Sequence, residues 1–232
     1  MRLFLLGLLL IISTLLMGCA RRSYQGQALA PAVLATHRTV AILPFGVELE
    51  RLRDLVAHAG VWADSTARPL GSQLESGLRD ERQQIGYQLQ AALQAELMRQ
   101  QVRRPVTVAF QNPTETNQRL ARAGITYDNL PTRSMAELRA ALGVDAVLTG
   151  QTAMRQLLPG GVSIAVFVLS SNSTNPMADN GVRTYLDVYD SQTGQLVWQF
   201  DHELRGRPSV SPAALATALV RHMQGSFPYF KK

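Results

Sequence analysis

Apolar residues in the first half of the chain fall into runs and periods that predict strands separated by helices. Residues 39–45 are mostly β-branched or apolar and include Pro44 near their end, which is typical of a buried strand that stops there. Residues 78–101 carry apolar side chains at every fourth position, which predicts a long amphipathic helix. Further strands are expected at residues 106–110 and 144–150. Strands that are separated by helices in this way can pair in parallel.

Capping residues indicate where the shorter helices begin and end. Asn112 is suited to start one helix, because its side chain can accept a hydrogen bond from a first-turn N–H group. Ser134 and Glu137 form a capping box, and Gly143 is expected to end the helix that follows them. In the long helix, Gln90 is expected on the face that meets solvent.

The second half of the chain is dominated by strands. Residues 162–169 are apolar on both faces, which predicts a central strand, whereas residues 182–190 alternate between two faces. Residues 191–194 are typical of a hairpin turn, so residues 195–204 should pair antiparallel with the strand before them. A last helix is expected after Ser211. The polar face of the alternating strand carries Arg183, Tyr185, Asp187 and Tyr189.

Three connecting segments complete the predicted organisation. Residues 48–59 have leucines at helical spacing and are expected to form a short amphipathic helix. Residues 60–77 are irregular, and residues 170–181 form a polar loop. The last two segments are candidates for a partner surface, because recognition tends to sit on loops held by a rigid scaffold. Variable surface connections would have the same composition.

These elements predict the α/β (α+β) class, with a single domain over residues 37–230. Early strands separated by helices and a late antiparallel hairpin together imply a mixed sheet with helices packed on it. Composition agrees, since 46% of the 232 residues are hydrophobic and 17% are charged. Such a chain is neither a disordered tail nor a membrane protein with many spans. A single cysteine excludes a disulfide scaffold and a zinc site built on cysteines.

The N-terminus resembles a bacterial lipoprotein signal. Residues 1–18 contain a short positive start and an apolar run too short to cross a bilayer comfortably. The run ends in a Leu-Met-Gly-Cys sequence, which is the pattern of a lipobox and makes Cys19 the expected lipid attachment point. The alternative is an ordinary cleaved signal followed by a buried cysteine. Residues 19–36 are expected to be the lipidated cysteine and a flexible tether.

The same segment indicates a destination. Ala20 follows Cys19, and the aspartate that commonly retains lipoproteins at the inner membrane is absent there. We therefore expect lipid anchoring in the outer membrane, with the domain facing the periplasm. Arg21 and Arg22 are placed either to meet anionic headgroups or to be solvated linker residues. The formal net charge of +6 does not indicate nucleic-acid binding in a chain anchored by lipid.

The sequence contains no recognisable catalytic or cofactor-binding motif. Nucleophile-elbow, phosphate-loop and dinucleotide patterns are absent, and the four histidines lack metal-ligand spacing, so no catalytic, cofactor or metal residues are expected. The carboxylates around the hairpin are expected to be solvated, and the basic cluster at the end of the long helix to complement the helix dipole. Trp198 is expected in the core. The histidines are His37, His58, His202 and His222, the carboxylates are Asp187, Asp190, Asp201 and Glu203, and the basic cluster is Arg99, Arg103 and Arg104.

Several stretches together resemble a family. The lipobox is followed by a TVAILPF strand, a long helix, the stretch RAGITYDNL to SMAELRAALGVDAVLTGQ, and VYDSQTGQLVW before a short final helix. This order is similar to the envelope lipoproteins that include CsgG and LpoB, whose folded part is similar to the N-terminal domain of TolB. The resemblance implies a protein without enzymatic activity that binds other envelope proteins or assembles into rings.

The expected function is therefore that of a non-enzymatic accessory or binding component of envelope assembly or secretion, and a homo-oligomer is one assembly that the resemblance allows. One alternative is a ring or pore of a CsgG-like channel, but residues 162–169 are apolar on both faces and residues 182–190 carry charges on their outer face, so neither suits a lipid-facing hairpin. Another is an activator of a cell-wall synthase, for which the 17-residue tether of residues 20–36 is short. An enzyme is the remaining class, and no constellation of residues favours it.

Overall fold

Seven strands form one mixed sheet in the computed structural model, which describes residues 24–50, 68–155, 181–205 and 210–231. Within these ranges five α-helices pack on the sheet, as expected for a single α/β domain. The strands are β1 (Tyr24–Ala28), β2 (Thr39–Ile42), β3 (Gly46–Leu49), β4 (Ala109–Phe110), β5 (Ala146–Arg155), β6 (Gly181–Asp190) and β7 (Leu196–Arg205). The helices are α1 (Pro31–Leu34), α2 (Arg68–Gln101), α3 (Pro113–Arg122), α4 (Met135–Leu142) and α5 (Pro212–Met223).

The sheet combines a parallel part and an antiparallel part. Its order is β1-β7-β6-β5-β2-β4, and β3 also pairs with β5, beyond the end of β2. β2 is parallel to β4 and β5, and β3 is parallel to β5. β5, β6, β7 and β1 are antiparallel to one another in turn, which confirms the predicted hairpin. Gly194 has a φ of 72° in the hairpin turn, a conformation that favours glycine.

The two faces of the sheet are covered by different helices. Leu148 of β5 and Leu186 of β6 lie in the larger core cluster, which includes apolar residues of α2 and α5. Val147 of β5 points the other way into a smaller cluster made with Leu120 of α3 and Leu142 of α4. Since α3 and α4 are short, they cover only part of their face.

The long helix confirms the periodicity seen in the sequence and corrects one detail. Ile85, Leu89, Leu93 and Leu97 are all buried against the sheet. Gln90 was expected in solvent, but it is fully buried and donates a 2.7 Å hydrogen bond to the carbonyl oxygen of Ile42. It also exchanges hydrogen bonds with Asn117 of α3. A buried amide is tolerated here because both of its polar atoms have partners.

The helix starts predicted at Asn112, Ser134 and Ser211 are all present. The Asn112 side chain accepts a 2.8 Å hydrogen bond from the N–H of Thr114. Ser134 and Glu137 form the capping box, and Gly143 ends α4 with a φ of 64°. Hydrogen bonds to Ser134 are the largest cause that lowers the pKa of Glu137 below its ordinary value.

The prediction of a flexible tether is wrong for residues 24–36. Tyr24–Ala28 forms β1, which pairs along its full length with β7, and Pro31–Leu34 forms α1. The side chains of β1 are almost all exposed, so main-chain hydrogen bonds rather than buried side chains hold this edge strand in the sheet.

Other predicted boundaries also need correction. Residues 48 and 49 belong to β3 rather than to a helix, and α2 begins at Arg68, inside the segment expected to be irregular. Only Ala109–Phe110 of the strand predicted at 106–110 pairs with β2, while Val106 forms an isolated bridge with Phe230. The predictions for residues 1–18, 51–67, 162–169 and 170–180 lie outside the described residues. In the part of the chain that is described, no helix has the length and apolar character needed to cross a membrane.

Candidate binding groove

A groove of about 590 Å³ lies on the part of the sheet that α3 and α4 leave uncovered. Its floor is formed by β5 and β6. Its walls are formed by β3, by Arg79 and Arg82 of α2, and by residues 127–138. We call this surface the open-face groove. Side chains that stand on its floor are Thr149, Gln151, Ala153, Tyr185, Asp187 and Tyr189.

The alternation of β6 places the floor residues. Val182, Thr184, Leu186 and Val188 are buried on the core face, so the intervening side chains must point to the opposite face. Tyr185 remains 40% exposed there. The sequence predicted this alternation, and the prediction is confirmed.

A hydrogen-bonded node around Tyr127 forms one wall of the groove. The Tyr127 hydroxyl donates to the carbonyl oxygen of Phe45 at 2.8 Å and accepts from the N–H of Val47 at 3.2 Å. This hydroxyl therefore fixes the short bend between β2 and β3. Burial is the main cause that raises the pKa of Tyr127 above its ordinary value. Gly86 and Gly150 allow the bend, because a Cβ at either position would collide with Phe45.

Asp187 is the charged group on the floor of the groove. Its side chain is half-buried, and no hydrogen bond or ion pair to it is present among the described residues. Burial raises the pKa of Asp187 above its ordinary value. The pKa of Tyr189, two positions along β6 on the same face, is also raised, first by burial and then by the negative charge of Asp187.

The other three hairpin carboxylates have partners within the chain. Asp201 forms a 2.7 Å ion pair with Arg183, and Glu203 forms a 2.6 Å ion pair with Arg205. Asp190 was expected to be solvated, but it is buried, because it caps the hairpin turn. These carboxylates do not converge with Asp187 on one site.

A buried network around His37 joins distant parts of the chain. Nδ1 of His37 is 2.7 Å from the hydroxyl of Tyr229, and Nε2 is 3.1 Å from Asp190. Asp190 also accepts two hydrogen bonds from Thr193. Burial would raise the pKa of Asp190, but the hydrogen bonds from Thr193 and His37 hold it below its ordinary value. These hydrogen bonds connect the residues just before β2 to the hairpin and to the C-terminal segment, which is a structural role.

His202 and His222 form a second pair, between β7 and α5. Nε2 of His202 is 2.7 Å from Nδ1 of His222, and the ring of Tyr24 stacks on His222 with centroids 4.7 Å apart. His202 is fully buried. No group of three metal-ligating side chains is found in the described part of the chain.

The remaining candidate residues either make contacts within the fold or lie outside the described residues. Arg99 forms a 2.6 Å ion pair with Glu96, and Arg104 donates to the carbonyl oxygen of Gln224. Trp198 is fully buried in the core, as predicted. Cys19 and His58 lie outside the described residues. The open-face groove was not predicted as a site, although the polar side of β6 was the signal that pointed to it.

Comparisons with known proteins give only distant likenesses. No protein-family model matches the chain, and no curated protein matches it significantly. Similar solved structures include the PelC dodecamer from Paraburkholderia phytofirmans, which is 11% identical with a TM-score of 0.40 over 90% of this chain and 98% of that chain. Lipoprotein GNA1162 from Neisseria meningitidis is 13% identical with a TM-score of 0.37 over 82% and 98% of the two chains.

The C-terminal domain of LpoB from Salmonella enterica is also similar, at 10% identity and a TM-score of 0.31 over 84% of this chain and 92% of that chain. Lipoproteins are thus among the structures that the chain resembles. LpoB is also a member of the group that the sequence resembles. These structures do not test the resemblance to CsgG. At such low identities and TM-scores, the likenesses carry no argument about what this chain binds.

Proposed function

We propose that this chain is a lipid-anchored protein of the bacterial envelope that has no catalytic activity of its own and binds another envelope protein in the open-face groove. The observation that carries the proposal is the groove itself, an uncovered stretch of sheet with exposed tyrosine and a carboxylate that lacks a donor among the described residues. A half-buried Asp187 without a donor costs folding free energy, which a binding role would offset.

The N-terminus supports an envelope location. The lipobox makes Cys19 the lipid attachment point, and Ala20 favours the outer membrane with the domain on the periplasmic side. Because β1 begins at Tyr24, the chain from Cys19 to the sheet reaches at most about 18 Å. The domain would therefore lie close to its membrane. So short a reach counts against an activator that must extend inward to a cell-wall synthase.

Lipid attachment is tested by the Cys19→Ala variant. We expect this variant to lose incorporation of a radiolabelled fatty acid and to leave the membrane fraction or remain as an uncleaved precursor. A Ser23→Ala variant, which changes a residue of the same segment, should be labelled normally. Labelling of the Cys19→Ala protein would contradict the anchor.

Groove binding is tested by placing a photo-crosslinking amino acid at Tyr185 in the lipidated protein in intact cells. The expected result is one discrete adduct with an envelope protein, reduced in yield by Ala153→Trp, which fills the floor. The same crosslinker at Val102, which is 89% exposed at the end of α2, is the matched control and should give no such adduct. Equal adducts at both positions, or an adduct of twice the mass of this chain, would contradict the proposed partner.

A further inference from the structure

The floor of the open-face groove combines one carboxylate with two aromatic rings on a single strand face. Tyr185, Asp187 and Tyr189 alternate on β6, so neighbours in this set are about 7 Å apart along the strand. Of the side chains on the floor, Asp187 alone carries a charge. A half-buried carboxylate with no donor is a group that a ligand can satisfy.

No cation of the described chain neutralises Asp187. The Cα of Arg183 lies about 13 Å from that of Asp187 along the same strand. Its guanidinium is held by Asp201 at 2.7 Å. Arg79, Arg82 and Arg133 line the groove, but Arg133 pairs with Glu137 at 3.2 Å, and none of the three forms an ion pair with Asp187 in the described part of the chain. The charge that complements Asp187 must therefore come from outside the described residues.

The tyrosines indicate which kind of cation fits. The guanidinium of Arg183 already lies 4.9 Å from the ring centroid of Tyr185, so this ring accepts a guanidinium within the chain itself. A planar guanidinium can stack on an aromatic ring and bond a carboxylate at the same time, which a lysine ammonium does less well.

We propose that Asp187 binds the guanidinium group of an arginine side chain on the envelope partner, with Tyr185 and Tyr189 flanking that group. The inference rests on the proposed function, since it names the chemistry by which the groove recognises its partner. The wall of the groove carries charges of both signs, since Arg79, Arg82, Glu48 and Asp128 all line it.

The test uses the full lipidated chain in nanodiscs and two tripeptides, acetyl-Gly-Arg-Gly-amide and its citrulline counterpart, which has nearly the same shape without the charge. Affinities are measured by saturation-transfer difference NMR. We expect the arginine peptide to bind about tenfold more tightly than the citrulline peptide, as a charge-assisted hydrogen bond predicts. Asp187→Asn should remove this difference. Asp80→Asn, the same change on the exposed surface of α2, should retain it.

Each other outcome overturns the inference and is separable from the proposed function. Equal binding of the two peptides would mean that the groove takes peptide without selecting charge, which leaves the proposed function intact. Equal losses in Asp187→Asn and Asp80→Asn would assign the effect to long-range electrostatics. No binding of either peptide would reject the arginine site, while the crosslinking experiment at Tyr185 decides separately whether the groove has a partner. A third peptide, acetyl-Gly-Lys-Gly-amide, separates charge from stacking, and binding as tight as that of the arginine peptide would reject the stacking on tyrosine.

Discussion

Replacing His202 by phenylalanine should make the stability of the domain less sensitive to acid. His202 is fully buried between β7 and α5, where its ring stacks on Phe200 with centroids 6.0 Å apart. Its Nε2 bonds His222, while its Nδ1 is buried without a partner among the described residues. Phenylalanine keeps the stacked ring and removes both the titratable group and the unpaired nitrogen.

The size of the expected change in acid sensitivity follows from the surroundings of the His202 imidazole. Burial, and then the neighbouring His222, lower the pKa of His202 from 6.5 to about 4, while Asp201 opposes this and Arg221 adds to it. The folded state therefore binds a proton less tightly than the unfolded state, so stability is lost as the pH falls below about 6.5 and continues to fall until about 4. Between about pH 7 and about pH 5 the linkage relation gives an upper estimate of about 2 kcal/mol for this group.

Urea unfolding at the two pH values measures the effect. The wild-type protein should lose about 2 kcal/mol more than His202→Phe between these pH values. Thr184→Val is the matched control, because Thr184 is the register partner of His202 on β6 and is equally buried but does not titrate. The change in the free energy of unfolding caused by Thr184→Val should be the same at both pH values. If His202→Phe and wild type lose equal stability on acidification, the buried neutral histidine is not the source of the acid sensitivity.

Two further predictions concern stability. Asp187→Asn should raise the melting temperature at neutral pH, because burial raises the pKa of this carboxyl and the charged form therefore opposes folding. The gain in melting temperature should shrink as the pH falls toward 3.8, the ordinary pKa of an aspartate. Calorimetry that shows a lower melting temperature for the variant at neutral pH would refute this prediction. Gly86→Ala should lower the free energy of unfolding by about 1–3 kcal/mol, because the added Cβ meets the backbone oxygen of Phe45. Gly77→Ala in the same helix adds a Cβ that meets no atom within 4 Å, so it should raise the free energy of unfolding by about 0.5–1 kcal/mol. Urea unfolding of both variants checks the pair, and equal effects would contradict the close approach at Gly86.

Elements with strong local signals could be predicted from the sequence. The fourfold spacing from Ile85 to Leu97, the capping box of Ser134 and the alternation of β6 all reflect burial or hydrogen bonding within a few residues. Their structures follow because the same residues that carry the pattern also make the contacts.

Elements that depend on distant partners could not be predicted in this way. β1 has almost no buried side chains, and it is a strand only because β7 offers an unpaired edge. Gln90 has the polarity of a surface residue, and it is buried because the carbonyl of Ile42 and the side chain of Asn117 satisfy it. The groove likewise depends on how far α3 and α4 extend over the sheet, which no local pattern encodes.

The two faces of the sheet differ in what they require of a polar side chain. On the core face, buried Thr152 and Thr184 bond each other at 3.2 Å, because water cannot reach them. An unbonded polar group there would cost about 1–3 kcal/mol. On the open face Asp187 has no such partner in the described chain, yet a ligand can enter and supply the donor. A carboxylate that opposes folding when free gains a favourable contact when a ligand binds it, and this contrast between the two faces is the physical reason for the proposal that the open-face groove binds a partner.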